Sequence, residues 1–248
     1  MGDVLTVFWK EWKEVLLQTG TVRGGLIRFG LLVGVTGVVM PVQVGPNWAA
    51  SPAALVNAMW LPLVLVMTLS VDLVAGERER HTLETLLASR LPDGAIVLGK
   101  LAAVTVYGWA VALAGALLSL VVVNIAYSPS GLQLYSPWQS LAIVVLSLLL
   151  AGLSATSGFL ASLHARTVRQ ASQTLSLGLL LGGLALSVVL ALGLQAVPAE
   201  WRTWLVASAR DTGYIGLALF AAVPLALLVA GLLAASLARF RRTRLLLD

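Results

Sequence analysis

From Leu101 to Ala126 the chain reads "LAAVTVYGWAVALAGALLSLVVVNIA", twenty-six residues without a charge. Helices in globular proteins are usually about half that length. Crossing the roughly 30 Å hydrocarbon layer of a bilayer takes about 20 apolar residues at helical rise. The same pattern recurs along the chain and predicts six spans, near 26–45, 55–75, 101–126, 138–162, 172–197 and 213–237. Backbone amides in hydrocarbon need internal partners, and these runs lack the alternation of barrel strands. The expected fold class is an all-α integral membrane protein, with residues 1–248 forming a single transmembrane domain. Composition agrees: 59% of the 248 residues are hydrophobic, more than a globular chain of this size can hide.

The charges are sorted along this map. Of sixteen Lys and Arg residues, only Arg202 and Arg210 fall in the connections 46–54, 127–137 and 198–212. The others fall in 1–25, 76–100, 163–171 and 238–248, with Arg28 just inside the first span. The positive-inside rule then places both termini in the cytoplasm, in a chain expected in the cytoplasmic (inner) membrane of the cell. The net charge of +5 follows from topology and calls for no nucleic-acid partner. The outer connections "GPNW", "YSPSGLQLYSPW" and "VPAEWRTW" join helix breakers to the Trp and Tyr that favour the interface. The last of them has room for a short outer helix with Trp201, Trp204 and Leu205 toward lipid. Gly30 with Gly34, and Gly178 with Gly182, have the spacing of closely packed helices.

Residues 3–18 follow another pattern. Leu5, Phe8, Trp9, Trp12, Val15 and Leu16 fall on one helical face, and Asp3, Lys10, Lys13, Glu14 and Gln18 on the other. This predicts an amphipathic helix lying in the cytoplasmic interface, with Phe8, Trp9 and Trp12 in the bilayer surface. A soluble helix docked on a partner is the plain alternative. Lys10, Glu11, Lys13 and Glu14 interrupt the stretch too often for a secretory signal.

Charge is densest in "AGERERHTLETLLASRLPDGAIVLGK", Ala75 to Lys100, in a chain only 11% charged. Leu83, Leu86, Leu87 and Leu91 recur there at helical spacing, while Glu77, Arg78, Glu79, Arg80 and Glu84 supply polar surface. Pro92 disfavours helix at Leu91, and Asp93-Gly94 is a turn signal. A short amphipathic helix along the inner face, ending at this point, is expected. On the residues alone, a solvated anchor explains the block as well as a docking surface does.

The block resembles the cytoplasmic signature of ABC-2-type permeases, the membrane subunits of a group of ABC exporters. That signature runs roughly E-R-E-x-G-T-L-E-x-L-L and then, about a dozen residues on, G-K. Glu77, Arg78, Glu79, Thr82, Leu83, Glu84, Leu86, Leu87, Gly99 and Lys100 match it, and His81 stands where glycine is usual. The six expected spans, inside termini and "FWKEWKE" helix extend the likeness over the whole chain. The resemblance implies that Glu77 to Leu87, with Arg80 and His81 among them, form a coupling helix seated on a separate ATPase subunit. It also implies two copies of that ATPase, which bind ATP and magnesium, and a second permease subunit, identical or different. On this reading the chain itself carries no cofactor or metal and is no enzyme; it supplies a pathway and a lever. His164, Arg166 and Arg169 in the second inner loop either touch the same partner or anchor the loop to anionic headgroups.

Other chemistries find little support. Gly94 to Leu101 imitates the phosphate loop G-x-x-x-x-G-K, but Leu101 replaces the Ser or Thr that would hold magnesium. The two histidines, His81 and His164, lie in no metal-binding spacing. Arg28 and Asp72, each within about a turn of the inner end of a span, are expected to pair with one another. Asn57 and Asn124 read as interfacial. A secondary transporter would need ionisable groups at mid-membrane, and an intramembrane enzyme a convergent acid, base or ligand set. The sequence offers neither. A membrane anchor that recruits a cytoplasmic partner through 76–100 stays open.

Overall fold

The computed structural model describes residues 2–17, 27, 30–82, 88, 90–196 and 198–240, except the side chains of 17, 130, 186, 189–196 and 199–212. Among these the chain is helical with no strand. The helices are α1 (Gly2–Leu17), α2 (Gly30–Val44), α3 (Pro52–Ser70), α4 (Asp72–Glu79), α5 (Asp93–Ala126), α6 (Pro137–His164), α7 (Val168–Ala196) and α8 (Ala199–Arg239). Val71 between α3 and α4 keeps right-handed geometry, φ −69° and ψ −24°. Pro52–Glu79 therefore runs on as one rod of 28 residues.

Among the described residues, four stretches are long and apolar enough to cross a bilayer: Pro52–Glu79, Asp93–Ala126, Pro137–His164 and Gly213–Arg239. They give the chain the character of a multi-pass membrane protein. The expected first span falls on α2, a shorter apolar helix, and the fifth on α7. The expected short outer helix coincides with helical backbone over 199–212, set off from the last span by Gly213 at φ 68°, ψ 170°. Glycine reaches that conformation without a Cβ penalty. The side chains of Trp201, Trp204 and Leu205 lie outside those described.

One boundary differs from the sequence reading. Asp93-Gly94 is not a turn but the opening of α5, which starts at 93 rather than 101. Pro92, extended at φ −68° and ψ 145°, is the N-cap, and Asp93 occupies the first turn. An acidic residue there complements the positive end of the helix dipole, so residues typical of a turn serve equally to start a helix.

The core lies where α6 packs on α3, α5 and α8. Val66, Val104 and Phe159 are fully buried in it, and Phe240, just past α8, rests 6.0 Å from Phe159. Small residues set the approach of these helices, as expected where lipid replaces water. A Cβ on Gly158 would fall 1.8 Å from Ser70 Oγ, and one on Gly108 2.1 Å from Val66 Cγ2. By contrast, Gly30, Gly34, Gly178 and Gly182 meet nothing within 4 Å, so the packing glycines inside this chain are not the expected pairs. Asn57 donates to the carbonyl of Thr36 at 3.1 Å. That carbonyl lies in a π-helical turn of α2, Val35–Val39, where the widened backbone offers spare acceptors.

The connections separated by charge in the sequence occupy opposite ends of the bundle. At one end Trp48 Nε1 donates to Ser119 Oγ and Tyr135 OH, both at 3.1 Å. There Tyr214 OH also donates to Ala50 O at 2.9 Å, and Tyr127 OH to Val42 O at 2.9 Å. Asn124 exchanges hydrogen bonds with the backbone of Gln133 at 2.7 and 2.8 Å. The ionised side chains among the described residues gather at the other end.

Candidate functional site

The charged end is organised around one buried lysine. Lys100 lies in the second turn of α5 and is 1% exposed. Its Nζ donates to Oε1 of Glu11 on α1 and to Oε1 of Glu77 on α4, both at 2.8 Å. Burying an ammonium alone costs several kcal/mol; two charge-assisted hydrogen bonds offset that cost. Glu77 Oε2 is buried without a partner among the described residues. Lys10 reaches in from the rim, with Nζ 3.5 Å from Glu77, 3.4 Å from Glu11 and 3.2 Å from Glu14. Burial works against its charge, yet the attraction of Glu11, Glu77 and Glu14 prevails and holds its pKa above the ordinary lysine value.

Gly99 is what lets α1 come so near. A Cβ at this position would sit 2.6 Å from Val7 Cβ and 3.1 Å from the Phe8 backbone nitrogen. Val7 and Glu11, one turn apart, both face α5. Trp12 stacks on Phe8 with ring centroids 5.7 Å apart and meets Tyr107 edge-on at 6.1 Å. Contacts with α5 thus run from Gly99 to Tyr107, roughly two turns. The single apolar face expected for α1 is split: Phe8 and Trp12 are half-buried toward the bundle, whereas Trp9 is exposed on the outer side.

The last turn of α4 spreads to three places. Arg78 donates to the carbonyls of Ala165 and, at 3.5 Å, Leu163, at the C-terminal end of α6. Those carbonyls lack helical partners and carry the negative end of the dipole. Glu79 Oε1 accepts from the Val168 backbone N–H at 2.8 Å, capping the start of α7 as an N-cap carboxylate would. Arg80 holds Asp72 at 2.8 and 3.1 Å. Asp72 therefore has Arg80 as its partner, and Arg28 lies outside the described residues.

The helix closes directly after these residues. Thr82 N–H donates to Glu77 O at 2.9 Å and His81 N–H to Arg78 O at 3.2 Å. These are the paired bonds of a Schellman motif, with His81 (φ 55°) at the left-handed position that glycine usually fills. Of the residues expected in the coupling helix, Glu77, Arg78 and Glu79 end the α3–α4 rod, and a tight turn follows at Arg80 and His81. Carboxylates and guanidinium find helix ends and Lys100 within reach, and those partners outweigh free solvation. His81 and Thr82 are exposed beyond the turn; Leu83, Glu84, Leu86 and Leu87 lie outside the described residues.

Gly94 to Lys100, the imitation phosphate loop, is helical, and its lysine is consumed in ion pairs. His164 at the end of α6, Arg166 in the connection and Arg169 in the first turn of α7 are exposed. There Thr167 Oγ1 accepts from Gln170 N–H at 3.1 Å and Gln170 Oε1 from Arg166 N–H at 3.0 Å, close to a capping box. No cluster of three metal-ligating side chains occurs among the described residues.

Sequence reasoning missed Glu11. Its local composition matches that of Glu14, yet it stands four residues after Val7 and four before Val15, inside the buried stripe. A charge placed within an apolar stripe was the available signal. Among the described residues the junction holds ion-paired charges and no nucleophile paired with a base. Through Glu77, Arg78 and Glu79 the end of α4 is tied at once to α1, α5, α6 and α7. No protein-family model matches the chain, and no curated protein matches it.

Proposed function

We propose that the chain is the permease subunit of an ABC-2-type ATP-driven exporter. In this reading it crosses the cytoplasmic membrane six times with both termini inside, and works as a dimer with two separate ATPase subunits. The observation that carries the reading is the pairing of Glu77 with Lys100 at 2.8 Å. These two residues stand at the head and foot of the signature that the chain resembles, and their contact ties the end of α4 to α5. His81 adds support. It occupies the signature's glycine position in the one conformation, φ 55°, that gives glycine an advantage there.

The division of labour differs from that implied by the resemblance alone. Thr82, Leu83, Glu84, Leu86 and Leu87 meet the ATPase, while Glu77, Arg78 and Glu79 relay its push to α1, α5, α6 and α7. A gradient-driven mechanism would need ionisable groups deep in the spans; the buried charges of the described residues gather instead at one end.

The test is affinity purification of the chain from its native membrane in mild detergent. A Walker-motif ATPase is expected to accompany it and to be released by Glu84→Lys with Arg90→Glu. Both positions follow Glu77, Arg78 and Glu79 in the sequence. Charge reversal at Glu79 would uncap α7 as well and so confuse the result. Absence of any ATPase, with the variant behaving as the parent does, would leave a membrane anchor as the better description.

A further inference from the structure

On the outer side of α1, Leu5, Trp9 and Lys13 take no part in the junction. Leu5 and Trp9 are 66% and 58% exposed, and with Thr6, Phe8, Lys10, Lys13 and Glu14 they line a shallow groove along the helix. Leu5, Trp9 and Lys13 follow one another at four-residue spacing, so one wall is apolar and ends in a cation. Lys13 makes no ion pair among the described residues. Lys10, on the opposite wall, keeps its positive charge against partial burial. An apolar track that ends at the ammonium of Lys13, with Lys10 beside it shared among Glu11, Glu14 and Glu77, matches an amphiphile with an anionic head. Helices of bilayer-crossing length stand beside α1, so such molecules are present at high local concentration.

We propose that this groove binds one anionic phospholipid, with its acyl chain along Leu5 and Trp9 and its phosphate between Lys10 and Lys13. The site rests on the membrane character of the chain and does not depend on the exporter reading. It also reaches the junction. Lys10 Nζ is 3.2 Å from Glu14, 3.4 Å from Glu11 and 3.5 Å from Glu77, so a phosphate at the groove competes with three carboxylates for the same ammonium. Lipid occupancy thereby loosens the rim of the charged cluster while Lys100 continues to hold its centre.

The sequence contains no cysteine, which allows a single fluorophore to be attached through Gly2→Cys. That position has open space around it and lies one turn before Thr6. The full chain is placed in phosphatidylcholine nanodiscs containing brominated phosphatidylglycerol or, at equal mole fraction, brominated phosphatidylcholine. Two cations at the surface should enrich the anionic lipid severalfold, so quenching by brominated phosphatidylglycerol should exceed the other by about twofold or more. Lys13→Gln, which disturbs no contact in the fold, should bring the two to parity. Equal quenching in the parent chain overturns the proposal, as does selectivity that survives Lys10→Gln with Lys13→Gln. Inorganic phosphate at constant ionic strength should leave the selectivity in place; its loss at millimolar phosphate would mark a site for free anions and overturn the lipid assignment.

Discussion

Lys100 and Glu77 meet at 2.8 Å with their side chains only 1% and 8% exposed, and Glu11 shares the same ammonium at 2.8 Å. Removing one partner from such a group strands the others without water. Lys100→Met should therefore destabilise the chain by about 3–5 kcal/mol, whereas the apolar triple variant Glu11→Met/Glu77→Met/Lys100→Met should regain most of the loss. Thermal unfolding in mild detergent reads both. A triple variant no more stable than Lys100→Met would trace the loss to packing instead of charge.

Two glycines in the first turns of α5 should respond with opposite sign. Gly99→Ala drives a methyl into Val7 and the Phe8 backbone, an overpacking that typically costs about 1–3 kcal/mol. Gly94→Ala meets nothing within 4 Å and should be neutral or stabilising by up to about 1 kcal/mol, since alanine favours helix. A Val7→Cys reporter, buried in the parent, should label faster with a thiol reagent only in the Gly99→Ala background. Unchanged labelling would mean that α1 is held on α5 by something other than close backbone approach.

Much of this arrangement was legible in the sequence, and the illegible part has a common cause. Helical class, bilayer-length runs and the separation of connections by charge all follow from local composition, which each segment carries by itself. The inward fate of Glu77, Arg78 and Glu79 does not. Their partners are 23 residues away at Lys100, 87 at Ala165 and 89 at Val168, and no periodicity within a loop encodes a contact at that range. Asp93-Gly94 failed for a different reason: Pro-Asp-Gly fits both a turn and a helix start, and only the neighbouring apolar face of α5 decides between them.

Glu79 binds the first amide of α7, so its loss should be felt locally. Glu79→Ala is expected to cost about 0.5–2 kcal/mol, the range for a missing helix cap. Hydrogen exchange should accelerate over 168–171 while the α5 amides near Lys100 keep their protection. Exchange spreading equally to both regions would make Glu79 part of the Lys100 cluster and not a cap.

The raised pKa of Lys10 fixes the sign of a pH effect. A lysine whose folded pKa exceeds its unfolded value contributes stability below the unfolded pKa and loses it as pH rises through the folded one. The difference in unfolding temperature between the parent and Lys10→Gln should accordingly hold steady at neutral pH and shrink above the ordinary lysine value of 10.5. Lys10 is half exposed, so solvent screening keeps the difference small. A gap that widens at alkaline pH would reverse the assignment of Glu11, Glu77 and Glu14 as its stabilising partners.

His81 joins the sequence resemblance to the geometry of the turn. Its φ of 55° is left-handed, a conformation costing an ordinary residue about 1–2 kcal/mol and glycine almost nothing. Replacing histidine with glycine relieves that cost but adds freedom to the unfolded chain, worth about 0.5–1 kcal/mol in the opposite sense. His81→Gly should thus lie within roughly 1 kcal/mol of the parent. His81→Val, with a branched Cβ that the left-handed region rejects, should lose about 1–3 kcal/mol and weaken the Thr82-to-Glu77 bond that closes α4. Thermal unfolding orders the three variants, and a valine as stable as glycine would remove the left-handed turn from the account.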